Sequence, residues 1–141
     1  MSVKIEILDY KYDDGDNLVD VNAASSGIGS GLWSVNSITS VDWNGNSGGS
    51  GVTYLSNISS FSLVVGQTYN LSFEITNKTG TNNMGFSSSS GVGSSARLAG
   101  NGTINHTFVA TGTSFPDLFA YAGNTGTVSK IKITNANAVD W

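Results

Sequence analysis

Apolar and polar residues alternate along much of this chain, and the alternation predicts strands. In Thr68-Tyr-Asn-Leu-Ser-Phe-Glu-Ile-Thr76, the residues Tyr69, Leu71, Phe73 and Ile75 share one side while Asn70, Ser72, Glu74 and Thr76 share the other. A strand turns successive side chains to opposite faces, so this is the pattern of a half-buried strand. The segments 103–110 and 129–134 alternate in the same way, as do Val3, Ile5 and Ile7. The run 61–65 ends at Gly66-Gln67, a short turn that predicts a hairpin with the strand at 68–76. Shorter runs at 18–21, 32–35, 38–43, 52–55, 83–86 and 118–122 are further strand candidates.

Glycine-rich punctuation at 25–31, 44–51 and 87–95 separates these runs, and no segment carries a helical stripe of useful length. Many short strands spaced by turn signals predict an all-β fold, a two-sheet antiparallel jelly-roll β-sandwich. The 44–51 tract reads as a long sandwich loop and not as a linker, because neither side has enough strands for a stable domain. One domain is expected over residues 1–141, with 1–16 as a first strand plus a docking arm.

Composition narrows the function classes. Apolar residues make up 38% of the 141 positions and charged residues only 11%, so the surface must be solvated by the hydroxyls and amides of Ser, Thr and Asn. Six Lys and Arg in a chain of net charge −4 form no basic track, so no nucleic-acid partner is expected. The longest apolar runs fall far short of the roughly 20 residues needed to span a bilayer, which argues against a membrane role. The segment beginning Met1-Ser-Val-Lys-Ile lacks the apolar stretch of a secretory signal. With no Cys, the chain has no disulfide, zinc-thiolate site or thiol nucleophile. Five Asn-x-Ser/Thr sequons, at Asn57, Asn70, Asn77, Asn101 and Asn105, carry no weight in so Asn- and Ser-rich a chain.

Catalytic chemistry finds no set of residues to carry it. His106 is the only histidine and keeps register with Ile104 and Phe108, the place of a hydrogen-bonded core residue. Glu6 and Glu74 are the only glutamates, and both fall on outward strand positions, so no carboxylate pair for glycoside hydrolysis is apparent. No catalytic residues and no cofactor are expected. Asp13-Asp-Gly-Asp16 gathers three carboxylates, but the spacing is not that of an EF-hand loop, and a polar turn is the reading.

Aromatic rings are the remaining candidates, since a flat apolar face suits a pyranose ring or a protein partner. Trp33 is expected inside. Trp43, Tyr54 and Tyr121 are candidate contact residues, with Trp43 the best placed for an exposed ring at the edge of a Gly/Asn loop. Tyr10, Tyr12 and Trp141 lie outside the main strand pattern and are candidates for subunit contacts.

The elements Asn17-Leu-Val, Gly31-Leu-Trp33-Ser-Val, Leu63-Val-Val-Gly-Gln-Thr-Tyr69-Asn-Leu-Ser-Phe73, Thr107-Phe108-Val-Ala and Gly126-Thr-Val-Ser-Lys-Ile131-Lys-Ile133 together resemble jelly-roll modules of the carbohydrate-binding, galactose-binding-like type, often found in phage tail and capsid proteins. The resemblance spans residues 17–134. Such modules often carry a Phe-Glu pair after the opening Asn and an Asp before the last strand, acidic groups that commonly hold calcium. Here 22–26 lacks the pair and Ser129 replaces the Asp, so no ion is expected. The resemblance implies a non-enzymatic virion structural protein, a capsid decoration, head-fibre or tail-fibre subunit. Its implied partners are other virion proteins and further copies of itself, and its implied location is the virion. The alternative is a glycan-binding module for a polysaccharide or host surface sugar.

Overall fold

A computed structural model describes residues 17–24, 33–45 and 52–136. Nine strands form among them: β1 (Trp33–Ser37), β2 (Ser40–Trp43), β3 (Val52–Leu55), β4 (Thr68–Thr79), β5 (Met84–Phe86), β6 (Arg97–Leu98), β7 (Gly102–Val109), β8 (Leu118–Tyr121) and β9 (Thr125–Asn135). Their antiparallel pairing is nested. β5 pairs with β6, β4 with β7, β3 with β8 and β2 with β9. Wrapping those four nested pairs gives two sheets, ordered β1-β2-β9-β4-β7 and β3-β8-β5-β6. This is the connectivity of a jelly-roll sandwich, with β1 added at one edge.

The alternation in β4 sets the core. Tyr69, Leu71, Phe73 and Ile75 are all buried, while Asn70, Ser72, Glu74 and Thr76 keep solvent exposure. Leu55, Met84, Phe86, Leu118 and Ala120 of the smaller sheet join the same cluster. Phe73 and Phe86 meet with ring centroids 5.5 Å apart, one from each sheet. Burying such side chains is worth about 1.5–3 kcal/mol each, so this layer is the principal source of stability.

β9 does not alternate throughout. Ser72 pairs with Lys132 but Glu74 pairs with Ser129, so β9 carries an extra residue between them. Lys130 sits there with φ +53. The bulge reverses the phase of the strand, which lets Val128 turn inward together with Ile131 and Ile133.

Two expected strands take other forms. The segment 61–67 does not pair with β4 as a hairpin, because both edges of β4 are already occupied by β7 and β9. It instead makes loop contacts, from Leu63 N–H to Thr113 O and from Gly66 N–H to Ala110 O. Residues 18–21 likewise form no strand. Leu18 N–H donates to Ile133 O at 2.9 Å, and the Asn17 side chain serves Ile131 O and Ile133 N in place of a backbone ladder. Asp20 then caps a 3-10 turn over Val21–Ala23. β6, only two residues long, had no sequence period to announce it. The expected opening strand at 3–7 lies outside the described residues.

Candidate functional site

Trp43 is not an exposed platform. Its ring is 1% exposed, tilted against Trp33 with centroids 5.0 Å apart, and its Nε1 donates to Tyr121 O at 3.1 Å. It sits opposite Trp33 in the β1–β2 register, on the inner face. The neighbouring Gly/Asn loop suggested exposure, but the face of a strand residue is set by its register parity. Trp33 is buried as expected, and its Nε1 has no hydrogen-bond partner among the described residues.

Tyr54 and Tyr121 come together. On the outer face of the smaller sheet, Tyr54 is opposite Phe119, Val52 is opposite Tyr121, Phe119 is opposite Gly85, and Gly85 is opposite Arg97. One row of the sheet therefore reads Tyr54, Phe119, Gly85, Arg97. A Cβ on Gly85 would lie 2.4 Å from Ala96 O and 2.7 Å from Arg97 Cα, so only glycine lets β6 approach this closely. The Arg97 guanidinium crosses that gap and lies 4.7 Å from the Phe119 ring centroid. Phe119 also meets Tyr121 edge-on at 5.8 Å. Phe119 is buried, yet it stands apart from the main core cluster, because its cover comes from the outer side chains.

These residues line a cleft of about 170 Å³, with Val52, Ser87 and Ser88 completing its walls. Tyr54 is 49% exposed. Arg97 donates from Nη2 to Phe86 O at 3.4 Å, and its buried Nε has no partner. The one ion pair among the described residues, Lys130–Glu74 at 3.4 Å, is elsewhere. The cleft thus offers an aromatic face, hydroxyls and a cation without a carboxylate partner among the described residues. Neither Arg97 nor Phe119 was a sequence candidate. Phe119 and Tyr121 at spacing two, with Leu118 and Ala120 on the other parity, carried a usable signal; Arg97 carried none.

A second, larger recess of about 380 Å³ lies on the outer face of the five-stranded sheet, lined by Asn70, Ser72, Asn105, His106, Thr107, Lys132 and Thr134. No Phe, Tyr or Trp lines it. Thr107 Oγ1 donates to Asn70 Oδ1 at 2.9 Å, so part of its polar lining is already paired. His106 is half-buried and bonded through Nε2 to Val92 O at 2.6 Å. A carbonyl only accepts, so Nε2 carries the hydrogen. This ring ties β7 to the turn at 89–92.

Further along this face, Asp42 accepts from Thr127 Oγ1 at 2.6 Å and from Asn36 Nδ2 at 3.0 Å. Glu74 is on the same outward face, with Lys130 as its partner. No group of three or more His, Cys, Asp or Glu side chains suited to a metal ion occurs among the described residues. Tyr10, Tyr12, Trp141, Glu6 and the turn expected at 13–16 lie outside the described residues. No described helix is long and apolar enough to cross a membrane. No known protein family, curated protein or solved structure matches this chain.

Proposed function

We propose that this chain is a non-enzymatic structural protein of a virion, using a jelly-roll sandwich for attachment to, or display on, the particle surface. The observation that carries the reading is the outer face of the five-stranded sheet. It is a broad array of hydroxyl and amide side chains, cross-linked by Asn36–Asp42, Asp42–Thr127 and Asn70–Thr107 bonds. Such a face suits close packing among copies without strong charge repulsion. The burial of both Trp33 and Trp43 supports the same reading, since it removes two of the three tryptophan rings from a sugar platform. Fold does not fix function, so the reading also leans on the family resemblance.

One observation favours a second reading, a glycan-binding module. Tyr54, Tyr121 and Arg97 converge on a single cleft. Light scattering of the purified chain together with a glycan array separates the two. A stable trimer or larger assembly with no glycan hit supports the structural role. A monomer with a clear saccharide preference overturns it in favour of the second reading.

A further inference from the structure

We infer that the Tyr54–Phe119–Arg97 cleft is a subsite for a carboxylated sugar ring, with the carboxylate held by Arg97 and a pyranose face laid on Tyr54. The inference rests on the glycan-binding reading and names the ligand class of that site. Arg97 is the only arginine in the chain, in a protein of net charge −4. Acidic proteins have carboxylates in excess, so a guanidinium that pairs with none of those among the described residues is notable. Arg97 spends one N–H on a 3.4 Å bond to Phe86 O and leaves its buried Nε unpaired. A guanidinium offers five donors in a planar fork matched to a carboxylate, and most of that capacity is unmet among the described residues. The charge is held in place before any ligand arrives, by the Phe119 ring beneath it and by the space that Gly85 leaves. Preorganisation of this kind lowers the ordering cost of binding.

The other lining residues suit the rest of a sugar. Tyr54 gives a half-exposed ring, and Ser87 and Ser88 supply hydroxyls. A volume of about 170 Å³ lies below the ~300–1,000 Å³ of sites for drug-sized ligands, so the cleft takes one ring and leaves the rest of a chain in solvent. Asp117, the residue just before β8, does not line the cleft and is hydrogen-bonded to Ser56. It therefore does not take the place of the missing counter-ion.

The test is an NMR titration of the whole chain with two matched pairs, oligogalacturonate against its methyl ester and sialyllactose against lactose, with the glycan array run alongside. At least one acidic member should shift amides at 52–54, 87–88, 97 and 119–121, and bind about tenfold tighter than its neutral partner. Arg97→Gln should abolish that preference, and Tyr54→Ala should weaken both members of the pair. Thermal melts establish that each variant is folded. Should Arg97→Gln fail to fold, Tyr54→Ala and the loss of acidic-sugar affinity on raising salt carry the same test. Equal binding of acidic and neutral members, or shifts confined to the outer face of the five-stranded sheet, overturns the subsite while the glycan reading stands. No saccharide bound in solution or on the array overturns both.

Discussion

Trp43 and Tyr121 are joined across the sandwich: the indole N–H of Trp43, on β2 of the larger sheet, donates to the main-chain carbonyl of Tyr121, on β8 of the smaller one, at 3.1 Å. The same contact explains the burial of a ring that a loop-edge position would have exposed. It also links the core to the cleft, because the Tyr121 side chain points outward into the cleft lining.

Trp43→Phe should therefore destabilise without unfolding. The substitution loses ring volume and one hydrogen bond, but the Tyr121 carbonyl keeps the Asn124 main-chain and side-chain donors, each at 3.3 Å. A cost of about 2 kcal/mol is expected, against about 3–5 kcal/mol for Trp43→Ala. Urea unfolding measures both; a Trp43→Ala variant within about 0.5 kcal/mol of the parent would mean the ring is not in the core.

Lys130→Gly should stabilise the fold. Lys130 holds φ +53 at the β9 bulge, where a side chain costs about 1–2 kcal/mol that glycine does not incur. The bond lost, to Glu74 at 3.4 Å, involves a lysine that is 77% exposed and contributes ~0–1 kcal/mol. Glycine's greater freedom in the unfolded chain offsets part of the gain. A net gain of about 0.5 kcal/mol is expected by chemical denaturation, with Glu74→Gln nearly neutral. A loss larger than about 1 kcal/mol in Lys130→Gly would show that the ion pair outweighs the backbone strain.

Asn124→Ala should cost about 2–3 kcal/mol. Asn124 is the one buried polar side chain among the described residues, at 1% exposure. Its Oδ1 accepts from Asn82 N and Lys78 Nζ, and its Nδ2 donates to the carbonyls of Tyr121 and Ala122. Truncation takes one partner from each of those groups, although Tyr121 O keeps the Trp43 indole and Lys78 Nζ keeps the carbonyls of Thr79 and Gly80. The place is crowded, since a Cβ on Gly80 would already lie 2.1 Å from Oδ1. Gly80→Ala should be destabilising for the same reason, with φ +83 adding strain. Thermal unfolding of the two single variants and the double variant tests the link, since a shared mechanism makes their costs less than additive.

Asp117→Asn should raise stability near neutral pH and leave it unchanged in acid. Burial lifts the Asp117 carboxyl above the ordinary carboxylate range, and the Ser56 hydrogen bond opposes that in part. The folded state then holds this proton more tightly than the unfolded state. Its favourable contribution is complete below the ordinary carboxylate pKa and is lost as pH rises through the raised folded value. Asparagine has no proton to lose. The melting temperature of the variant should exceed that of the parent at about pH 7 and match it at about pH 3. A gain of the same size at both values would point to packing instead of titration.

The strands that sequence reading located best are those whose two faces meet different environments. β4 has core on one side and solvent on the other, and its Tyr69, Leu71, Phe73 and Ile75 are all interior. β3 and β8 are short, but each is recognisable, and ring chemistry makes Tyr54 and Tyr121 candidates, which the structure places on one cleft. What failed was anything that depends on a partner strand. The segment 61–65 alternates much as a strand would, but both β4 edges are taken. Trp43 was assigned from its loop neighbour, whereas its place opposite Trp33 decides its face. Arg97 joined the cleft only through Gly85, a residue that contributes by having no side chain.

The amino-acid sequence by itself determined that this chain is all-β and which side of β4 goes inward, because side-chain parity along a strand is a local property of the backbone. Tertiary structure alone decided the nested pairing of the strands, the bulge that reverses β9 at Lys130, and the meeting of Tyr54, Phe119 and Arg97. Those depend on contacts between residues tens of positions apart, and a local period holds no record of which strand lies next to which.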